Sequence, residues 1–460
     1  MNSPPASLSH AELTNTAQVR VFAEPLGSQW GDVALKSGIA FFSSMVIAMA
    51  IGRGYRPFAI VAALGARNSA LAVLWWVFGV VSVGYFAATF WHAFRYRPVA
   101  TLRDEELPTC TVIVPAYNEG PMVRIALSSI LQSWYPADRL QIIAVDDGST
   151  DDTWGHIEAL AATVPGRVTT IRQPRNRGKR EALRAGFLRA TGDVIVTVDS
   201  DSKIERGALR SLATPFVTDP EVGAVSGKVM VLNRYANLLT RLLAARFFVT
   251  FDLARAAQSR FGAVLCTPGA LSAYRRSAVL SVLAEWSSQT FLGQPCTIAE
   301  DRALTTWLLR RGHRAVYQSS AVVHTLVPTD LAGVARTFVR WERGNIREDL
   351  VMIPTLFSSW RTRDRWWPTF EIVFELIQYP IGYVVLALSI RVFLVHPAAI
   401  VQVAAMVAIT SLLQSLYSLR SERKTDFIYG IAYAFVALIG LQWVFPYSLL
   451  TVRNGKWLTR

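Results

Sequence analysis

Two aspartates, Asp199 and Asp201, directly follow the strongly β-branched stretch Val194–Val198. That composition predicts a buried strand of a parallel sheet, and the i, i+2 spacing places both carboxylates on one face of an extended chain. Open α/β sheets bind their ligands at the carboxyl ends of such strands. Two hard oxygen ligands there suit Mg²⁺ or Mn²⁺, which would neutralise a nucleotide diphosphate. Taken alone, the pair is equally compatible with a polar loop.

Two further loops carry residues that could act beside these aspartates. The loop Pro115–Glu119 (PAYNE) offers Tyr117 as a flat surface for a base and Glu119 as an acceptor for its N–H groups. The loop Asp146–Thr150 (DDGST) offers Asp147 for the same purpose. Ordinary turn chemistry also explains both loops.

A fourth loop, Asn176–Arg180 (NRGKR), combines a glycine with clustered cations before a predicted helix, Glu181–Leu188. Free N–H groups and the helix dipole reinforce the cations, so the loop is typical of an anion site, with a solvated basic face as the alternative. Strand and helix patterns alternate around these loops, which predicts βαβ units whose strand ends meet at one crevice. The predicted strands are Cys110–Pro115, Leu140–Val145, Val168–Arg172 and Val194–Val198.

The composition indicates a membrane protein. The 460 residues are 52% hydrophobic, and a mean hydropathy of +0.30 is too high for a soluble enzyme of this size. The apolar excess lies at the two ends, on either side of a mixed-charge α/β region. Much of the net charge of +14 flanks apolar segments, which favours contact with the lipid bilayer over nucleic acid. Three cysteines without metal or CxxC spacing predict a reducing cytosolic compartment for the α/β region.

Apolar runs predict where the chain enters the bilayer. They are Leu35–Ile51, Ala70–Phe94, Phe370–Val395, Ala398–Leu419 and Phe427–Val452. The last run has basic residues on both flanks, so we expect it to break at Pro446 into two short or re-entrant halves, with the tail returning to the α/β domain. The predicted division is a cytosolic tail (1–34), two transmembrane helices (35–94), an α/β domain with interfacial helices (95–351), and a C-terminal interfacial and transmembrane region (352–460).

The ordered motifs resemble those of family 2 glycosyltransferases with a GT-A fold, most of all the processive membrane synthases such as hyaluronan synthases. The resemblance covers nearly the whole chain from about Arg95. Besides the four loops already described, it rests on Arg255–Phe261 (RAAQSRF), Ser288–Pro295 (SQTFLGQP), Glu300–Arg302 (EDR), Val316–Ser319 (VYQS), Arg340–Trp341 (RW) and the tail Trp457–Arg460 (WLTR). It implies a Rossmann-like α/β GT-A cytosolic domain embedded in an α-helical transmembrane protein.

The resemblance also implies roles for individual residues. UDP and sugar contacts would come from Tyr117, Glu119, Asp146, Asp147, Lys179, Asp199, Arg340 and Trp341. Asp199 and Asp201 would bind Mg²⁺ or Mn²⁺, and Asp301, with Glu300 beside it, would be the general base that deprotonates the acceptor hydroxyl. Contacts to the acceptor or channel would come from Cys266, Gly269, Trp457 and Arg460.

The implied activity is processive, inverting polymerisation of UDP-sugars with export of the polysaccharide across the cell membrane. Hyaluronan, made from UDP-N-acetylglucosamine and UDP-glucuronate, is the first expectation. Glu300 resembles the chitin-type synthases more, which keeps open a chitin-like or poly-N-acetylglucosamine product from one donor. Thr337 stands where the family motif QxxRW has Gln, so we expect altered handling of UDP. A non-processive lipid glycosyltransferase and a non-catalytic nucleotide-binding or export subunit are the remaining alternatives.

Overall fold

The computed structural model describes residues 29–54, 69–357, 365–421 and 425–455. Its centre is a mixed eight-stranded sheet in the order β3-β2-β1-β4-β7-β6-β10-β5, beside a small β8–β9 hairpin. The strands are β1 Cys110–Ala116, β2 Leu140–Asp146, β3 Val168–Arg172, β4 Val194–Val198, β5 Ser202–Ile204, β6 Val222–Val231, β7 Leu271–Arg275, β8 Thr290–Phe291, β9 Gln294–Pro295 and β10 Arg314–Thr325.

The four predicted strands are confirmed to within one residue, and they pair in parallel. β1 and β4 are buried along their whole length, because helices cover both faces of the sheet. Parallel pairing brings the loops after β1, β2 and β4 to one edge, as the βαβ pattern predicts. β7 then pairs antiparallel with both β4 and β6, which extends the sheet on its other side.

The helices are α1 Gln29–Gly52, α2 Ser69–Arg95, α3 Met122–Leu131, α4 Thr153–Thr163, α5 Lys179–Arg189, α6 Ala208–Thr218, α7 Leu238–Phe248, α8 Ala254–Ser259, α9 Arg276–Ser287, α10 Glu300–Arg310, α11 Leu331–Leu356, α12 Trp366–Val395, α13 Ala399–Ser421, α14 Ile428–Gly440 and α15 Val444–Leu450. A π-helical turn, Val249–Leu253, joins α7 to α8. Residues 238–259 therefore form one helical rod with a widened turn. Inside that turn the buried Asp252 pairs with Lys228 of β6 (2.9 Å).

Within the ranges that the structure describes, four helices, α1, α2, α12 and α13, are long and apolar enough to cross a membrane. They agree with the first four apolar runs of the sequence, although α1 begins at Gln29, six positions before the predicted Leu35. Their apolar side chains are largely exposed in the isolated chain, as expected for surfaces that face lipid.

The last apolar run forms a bent pair, in which Thr425–Gly440 and Val444–Leu450 meet at 50°. The expected break is present, but Pro446 does not cause it: the bend lies at residues 441–443, and Pro446 belongs to the first turn of α15. Both ends of the pair contact the globular domain. Arg234 pairs with Asp426 before α14 (2.8 Å), and Arg343 donates to the Thr451 hydroxyl after α15 (3.0 Å). Both ends of the pair therefore lie against the globular domain, which is the arrangement expected of re-entrant halves, and we call it the re-entrant pair below.

A cluster of ion pairs fixes the start of α1. Asp32 and Lys36 pair with each other (2.7 Å), and Lys36 also pairs with Asp426 (2.6 Å). Arg241 of α7 pairs with Asp32, whose carboxylate also accepts from the Tyr429 hydroxyl of α14 (2.6 Å). The cluster joins the first helix, the α7–α8 rod and the re-entrant pair at one point.

Candidate active site

One cavity of about 1770 Å³ connects the edge of the sheet with the membrane helices. At the sheet it is lined by the loops after β1, β2 and β4 and by the start of α5. Towards the membrane it is lined by α7, α8, α11, α12 and the re-entrant pair. The crevice that the sequence predicts at the strand ends is therefore the sheet end of a longer cavity.

Lys179 lies at the sheet end of the cavity. Its Nζ is 2.5 Å from Asp199 Oδ1 and 2.8 Å from Glu300 Oε1. The ammonium therefore links the end of β4 to the start of α10. These two carboxylates hold the pKa of Lys179 above its ordinary value in spite of burial, so the side chain is a permanent cation.

Asp301 is placed by two backbone N–H groups. Gly269 donates to Asp301 Oδ2 (2.8 Å), and the adjacent Arg302 donates to Oδ1 (2.7 Å). Ala299, just before α10, has a left-handed φ of 53°. A non-glycine residue adopts that conformation only where its surroundings enforce it, and strain of this kind is common at active sites. Gly344 of α11 packs against Ala299, and a Cβ added at Gly344 would stand 2.3 Å from the Ala299 Cβ.

The two neighbouring carboxyl groups have pKa values pushed in opposite directions. Burial raises the pKa of Asp301, and the adjacent Glu300 carboxylate raises it further. Burial also opposes ionisation of Glu300, but the Lys179 ammonium lowers its pKa below the ordinary value. Glu300 is thus a fixed anion, whereas Asp301 is the better proton acceptor. Such a divergence is the electrostatic signature of an acid–base site.

Of the residues predicted to contact the base, Tyr117 and Asp147 line the cavity. Asp147 accepts from the backbone N–H groups of Arg177 (2.9 Å) and Gly178 (2.8 Å), so it also fixes the basic loop before α5.

Glu119 and Asp146, which were also predicted to contact the nucleotide, are not among the residues that line the cavity. Asp146 is fully buried, where it accepts from the Ser149 N–H (3.2 Å) and lies 3.6 Å from Arg172. Asp146 therefore stabilises the turn after β2. The Glu119 N–H donates to the Thr153 hydroxyl (2.8 Å), which ties this loop to the start of α4.

Arg340 and Trp341, on α11, line the cavity beyond Asp301. Trp341 packs against Phe338 at 5.7 Å and Phe247 at 5.9 Å between ring centroids, so its indole is held in one orientation. Thr337, which replaces the expected Gln, is 6% exposed and also lines the cavity.

Cys266 and Gly269 line the cavity close to Asp301. Burial raises the pKa of the Cys266 thiol to about 12, so it is neutral. Gly269 permits a close approach, because a Cβ there would stand 2.5 Å from Lys179 Nζ. The tail residues Trp457 and Arg460 lie outside the described residues.

Asp199 and Asp201 both line the cavity, as the spacing predicts. Asp201 Oδ1 accepts from the Ser202 hydroxyl (3.2 Å). Within the described residues, no group of three or more His, Cys, Asp or Glu side chains could enclose a metal ion. Two carboxylates with cavity access nevertheless fit a cation whose other ligands come from a substrate diphosphate, since Mg²⁺ commonly binds in that way.

The membrane end of the cavity contains further polar and aromatic side chains. Tyr379 stacks on Phe445 of the re-entrant pair, with ring centroids 4.2 Å apart. Burial raises the pKa of Glu342 on α11 to about 7. Glu371 of α12 is not among the lining residues; it accepts from Gln258 (2.8 Å) and Tyr85 (3.2 Å). The remaining polar side chains here are Asn345, Asp349, Glu375, Gln378, Tyr383 and Gln442.

The chain is similar to proteins of one known family. Residues 108–344 match the family described as "Glycosyltransferase like family 2". The chain is 34% identical over 374 residues to the N-acetylglucosaminyltransferase of Rhizobium meliloti (strain 1021), covering 79% of this chain and 83% of that protein. It is 33% identical over 390 residues to the hyaluronan synthase of Streptococcus pyogenes, covering 84% and 90%.

A solved structure is similar as well. It is the mannosyltransferase PcManGT from Pyrobaculum calidifontis in complex with GDP-Man and Mn²⁺, with a TM-score of 0.55 and 25% identity over 80% of this chain and 99% of that one. Together with the α/β sheet and the membrane-spanning helices, these matches show that the chain belongs to the family 2 glycosyltransferases, as a membrane enzyme with a GT-A fold.

Proposed function

We propose that this enzyme transfers N-acetylglucosamine from UDP-N-acetylglucosamine to the end of a growing β-linked polysaccharide, with inversion at the anomeric carbon. The observation that carries the proposal is the position of Asp301, between the acidic edge of the sheet and the part of the cavity that leads to the membrane helices. A donor bound at the sheet edge and an acceptor bound on the membrane side would meet at this carboxylate. The relatives named N-acetylglucosaminyltransferase support this choice of sugar.

Asp301 is the general base in this proposal. The acceptor hydroxyl attacks the anomeric carbon, its proton passes to the Asp301 carboxylate, and UDP leaves from the opposite face of the sugar. The two N–H donors from Gly269 and Arg302 keep the carboxylate oriented towards the cavity. Its raised pKa makes it a stronger base than an exposed aspartate, which favours proton transfer near neutral pH.

The donor would bind along the sheet edge. Tyr117 and Asp147 would contact the uracil, and Arg340 would pair with the diphosphate. Lys179 would contact the nucleotide from its position between Asp199 and Glu300. A divalent cation, Mg²⁺ or Mn²⁺, bound by Asp199 and Asp201 would neutralise the charge that develops on the diphosphate. The Mn²⁺ present in the similar mannosyltransferase supports a metal of this kind.

The acceptor would stack on Trp341, and the chain would leave through the membrane end of the cavity. Under this proposal residues 95–351 form the catalytic domain on the cytosolic face of the cell membrane, and residues 35–94 and 352–460 form the membrane part. The lining near Tyr379 is suitable for a sugar polymer, because it contains both aromatic rings and hydrogen-bonding groups.

A second candidate is hyaluronan synthesis with UDP-glucuronate as an additional donor. It is favoured by the hyaluronan synthases of Streptococcus pyogenes, which align over nine-tenths of their length. The two candidates share the nucleotide site and the base and differ in the sugar that must fit between them.

One experiment tests both candidates. The purified, detergent-solubilised enzyme is incubated with each UDP-sugar, singly and in pairs, in the presence of Mg²⁺ or Mn²⁺. Polymer from UDP-N-acetylglucosamine alone supports the first candidate. Polymer that forms only when UDP-glucuronate is also present supports hyaluronan. Transfer of one sugar to a lipid, or no transfer of N-acetylglucosamine, would refute the proposal.

A further inference from the structure

The motif Arg255–Phe261 contains a cation for which the proposed mechanism has no role. Arg255 lies on α8 and is 5% exposed, yet it lines the cavity together with Asp301 and Cys266. A widened turn precedes α8, and Phe251, Arg255 and Gln258, spaced i, i+4 and i+7 along this rod, all line the cavity. Functional sites often contain a turn of this kind.

Arg255 makes no direct ion pair in the part of the chain that the structure describes, although the Asp301 carboxylate in the same cavity acts on its charge. Its Nη1 is shielded from solvent and makes no hydrogen bond there. The guanidinium packs on the Phe251 ring, 4.3 Å from the centroid, and the nearby Cys266 thiol is neutral. Two other buried cations that are as well shielded do have a carboxylate partner: Arg347 pairs with Glu348 (2.8 Å), and Arg302 pairs with Asp349. An unpaired buried cation is costly, so this one is suited to a ligand that supplies the missing acceptor.

The surroundings of Arg255 indicate which ligand that is. Phe251, beneath the guanidinium, also packs edge-on against Trp341, with ring centroids 6.3 Å apart and the planes at 78°. Arg255 therefore lies on the membrane side of Asp301, beside the indole that would carry the acceptor sugar. Lys179 and the aspartates after β4 belong to the sheet edge, where the nucleotide would bind.

We propose that Arg255 binds an oxygen atom on a substituent of the acceptor sugar, either the carboxylate of a uronic acid or the acetamido carbonyl of an N-acetylhexosamine. The contact fixes the acceptor ring on Trp341 with its hydroxyl facing Asp301. This inference rests on the proposed function, because it needs an acceptor at that place. It assigns Arg255 to the acceptor, whereas Arg340 serves the donor.

The variants Arg255→Gln and Arg255→Lys test the assignment, with Arg260→Gln as the matched control. Arg260 follows on the same motif but is exposed and donates to the Arg95 carbonyl (3.1 Å). Initial rates are measured with UDP-N-acetylglucosamine and two acceptors, diacetylchitobiose and a hyaluronan tetrasaccharide that ends in glucuronate. For Arg255→Gln we expect the acceptor KM to rise at least about tenfold, as for loss of a charged hydrogen bond. The KM for the donor should stay within about twofold, and Arg255→Lys should be intermediate, because it keeps the charge but loses the planar fork.

The two acceptors distinguish the two oxygen sources. A rise confined to the glucuronate-ended acceptor assigns the contact to a carboxylate, and a rise with diacetylchitobiose assigns it to the acetamido group. An unchanged acceptor KM, or an equal loss of affinity for UDP, would overturn the inference. Calorimetric binding of both acceptors to the UDP complex gives the same comparison without turnover. Absence of transfer by the wild-type enzyme would therefore refute the proposed function and still leave Arg255 tested.

Discussion

Substitution of Gly269 by alanine should damage catalysis while leaving the fold intact. The added methyl carbon would stand 2.5 Å from Lys179 Nζ and 3.2 and 3.3 Å from the two Asp199 oxygens. A normal contact to Nζ needs about 3.4 Å, so the ammonium must retreat by about 1 Å. Nζ is the end of a flexible side chain, and Gly269 has no left-handed backbone to strain. The free energy of unfolding should therefore change by less than about 1 kcal/mol.

The catalytic cost follows from what that displacement disturbs. Lys179 links Asp199 to Glu300, and the Gly269 N–H itself orients Asp301. A misplacement of about 1 Å at an active site can cost about 100-fold in rate, which corresponds to about 2.7 kcal/mol of activation free energy. We therefore expect kcat to fall by about two orders of magnitude with a small change in the KM for the donor.

Release of UDP by purified protein measures this effect, and thermal unfolding in the same detergent measures stability. Gly155→Ala is the control, because its Cβ would meet nothing within 4 Å on helix α4. If Gly269→Ala kept kcat within about twofold of the wild type, the inferred crowding at Lys179 would be wrong. A large loss of thermal stability in Gly269→Ala alone would contradict the reasoning as well.

Three further substitutions test other parts of the site, and a fourth tests a buried ion pair. Asp301→Asn should abolish transfer and leave UDP affinity unchanged in calorimetry; a comparable loss of UDP affinity would remove Asp301 as the base. Glu300→Gln removes the carboxylate that, in addition to burial, raises the pKa of Asp301. Because the base must be deprotonated to act, the acid limb of the kcat/KM profile should move to lower pH. A shift of this limb to higher pH would contradict the reasoning. Asp201→Asn should raise the Mn²⁺ concentration needed for half-maximal rate, measured by metal titration, and an unchanged titration would exclude Asp201 as a ligand. Lys228→Met removes the ammonium that pairs with the buried Asp252 carboxylate and should cost about 3–5 kcal/mol in thermal unfolding, whereas a change below about 1 kcal/mol would argue against that pair.

The strands of the central sheet were predictable because each is a short apolar run that ends in turn-forming polar residues. β3 and β4 begin and end at the predicted residues, and β1 and β2 extend one residue further. The same strand pattern placed Asp199 and Asp201 after the carboxyl end of β4, at the edge of the sheet. Membrane helices were predictable from length and apolarity alone.

The features that the sequence did not predict correctly depend on contacts between distant segments of the chain. Asp146 and Asp147 are chemically identical neighbours, and only the fold decides that Asp147 lines the cavity while Asp146 stabilises a turn. The pairing of Lys179 with Glu300 joins two helices far apart in the chain. Pro446 was expected to break its helix, but proline is tolerated in a first turn, where N–H groups lack helical partners anyway.

The ion-pair cluster at the start of α1 has a consequence for biosynthesis. The Tyr429 hydroxyl that donates to Asp32 lies 397 positions later in the chain. At roughly 5–20 residues per second, a ribosome needs on the order of 20–80 s to produce that partner. During this interval the charges of the nascent first helix have the local pair between Asp32 and Lys36 and, once it has been made, Arg241, but Asp426 and Tyr429 are still absent. Final docking of α1 must therefore be one of the last events in maturation, and chains that terminate before the re-entrant pair would expose these charges to quality control.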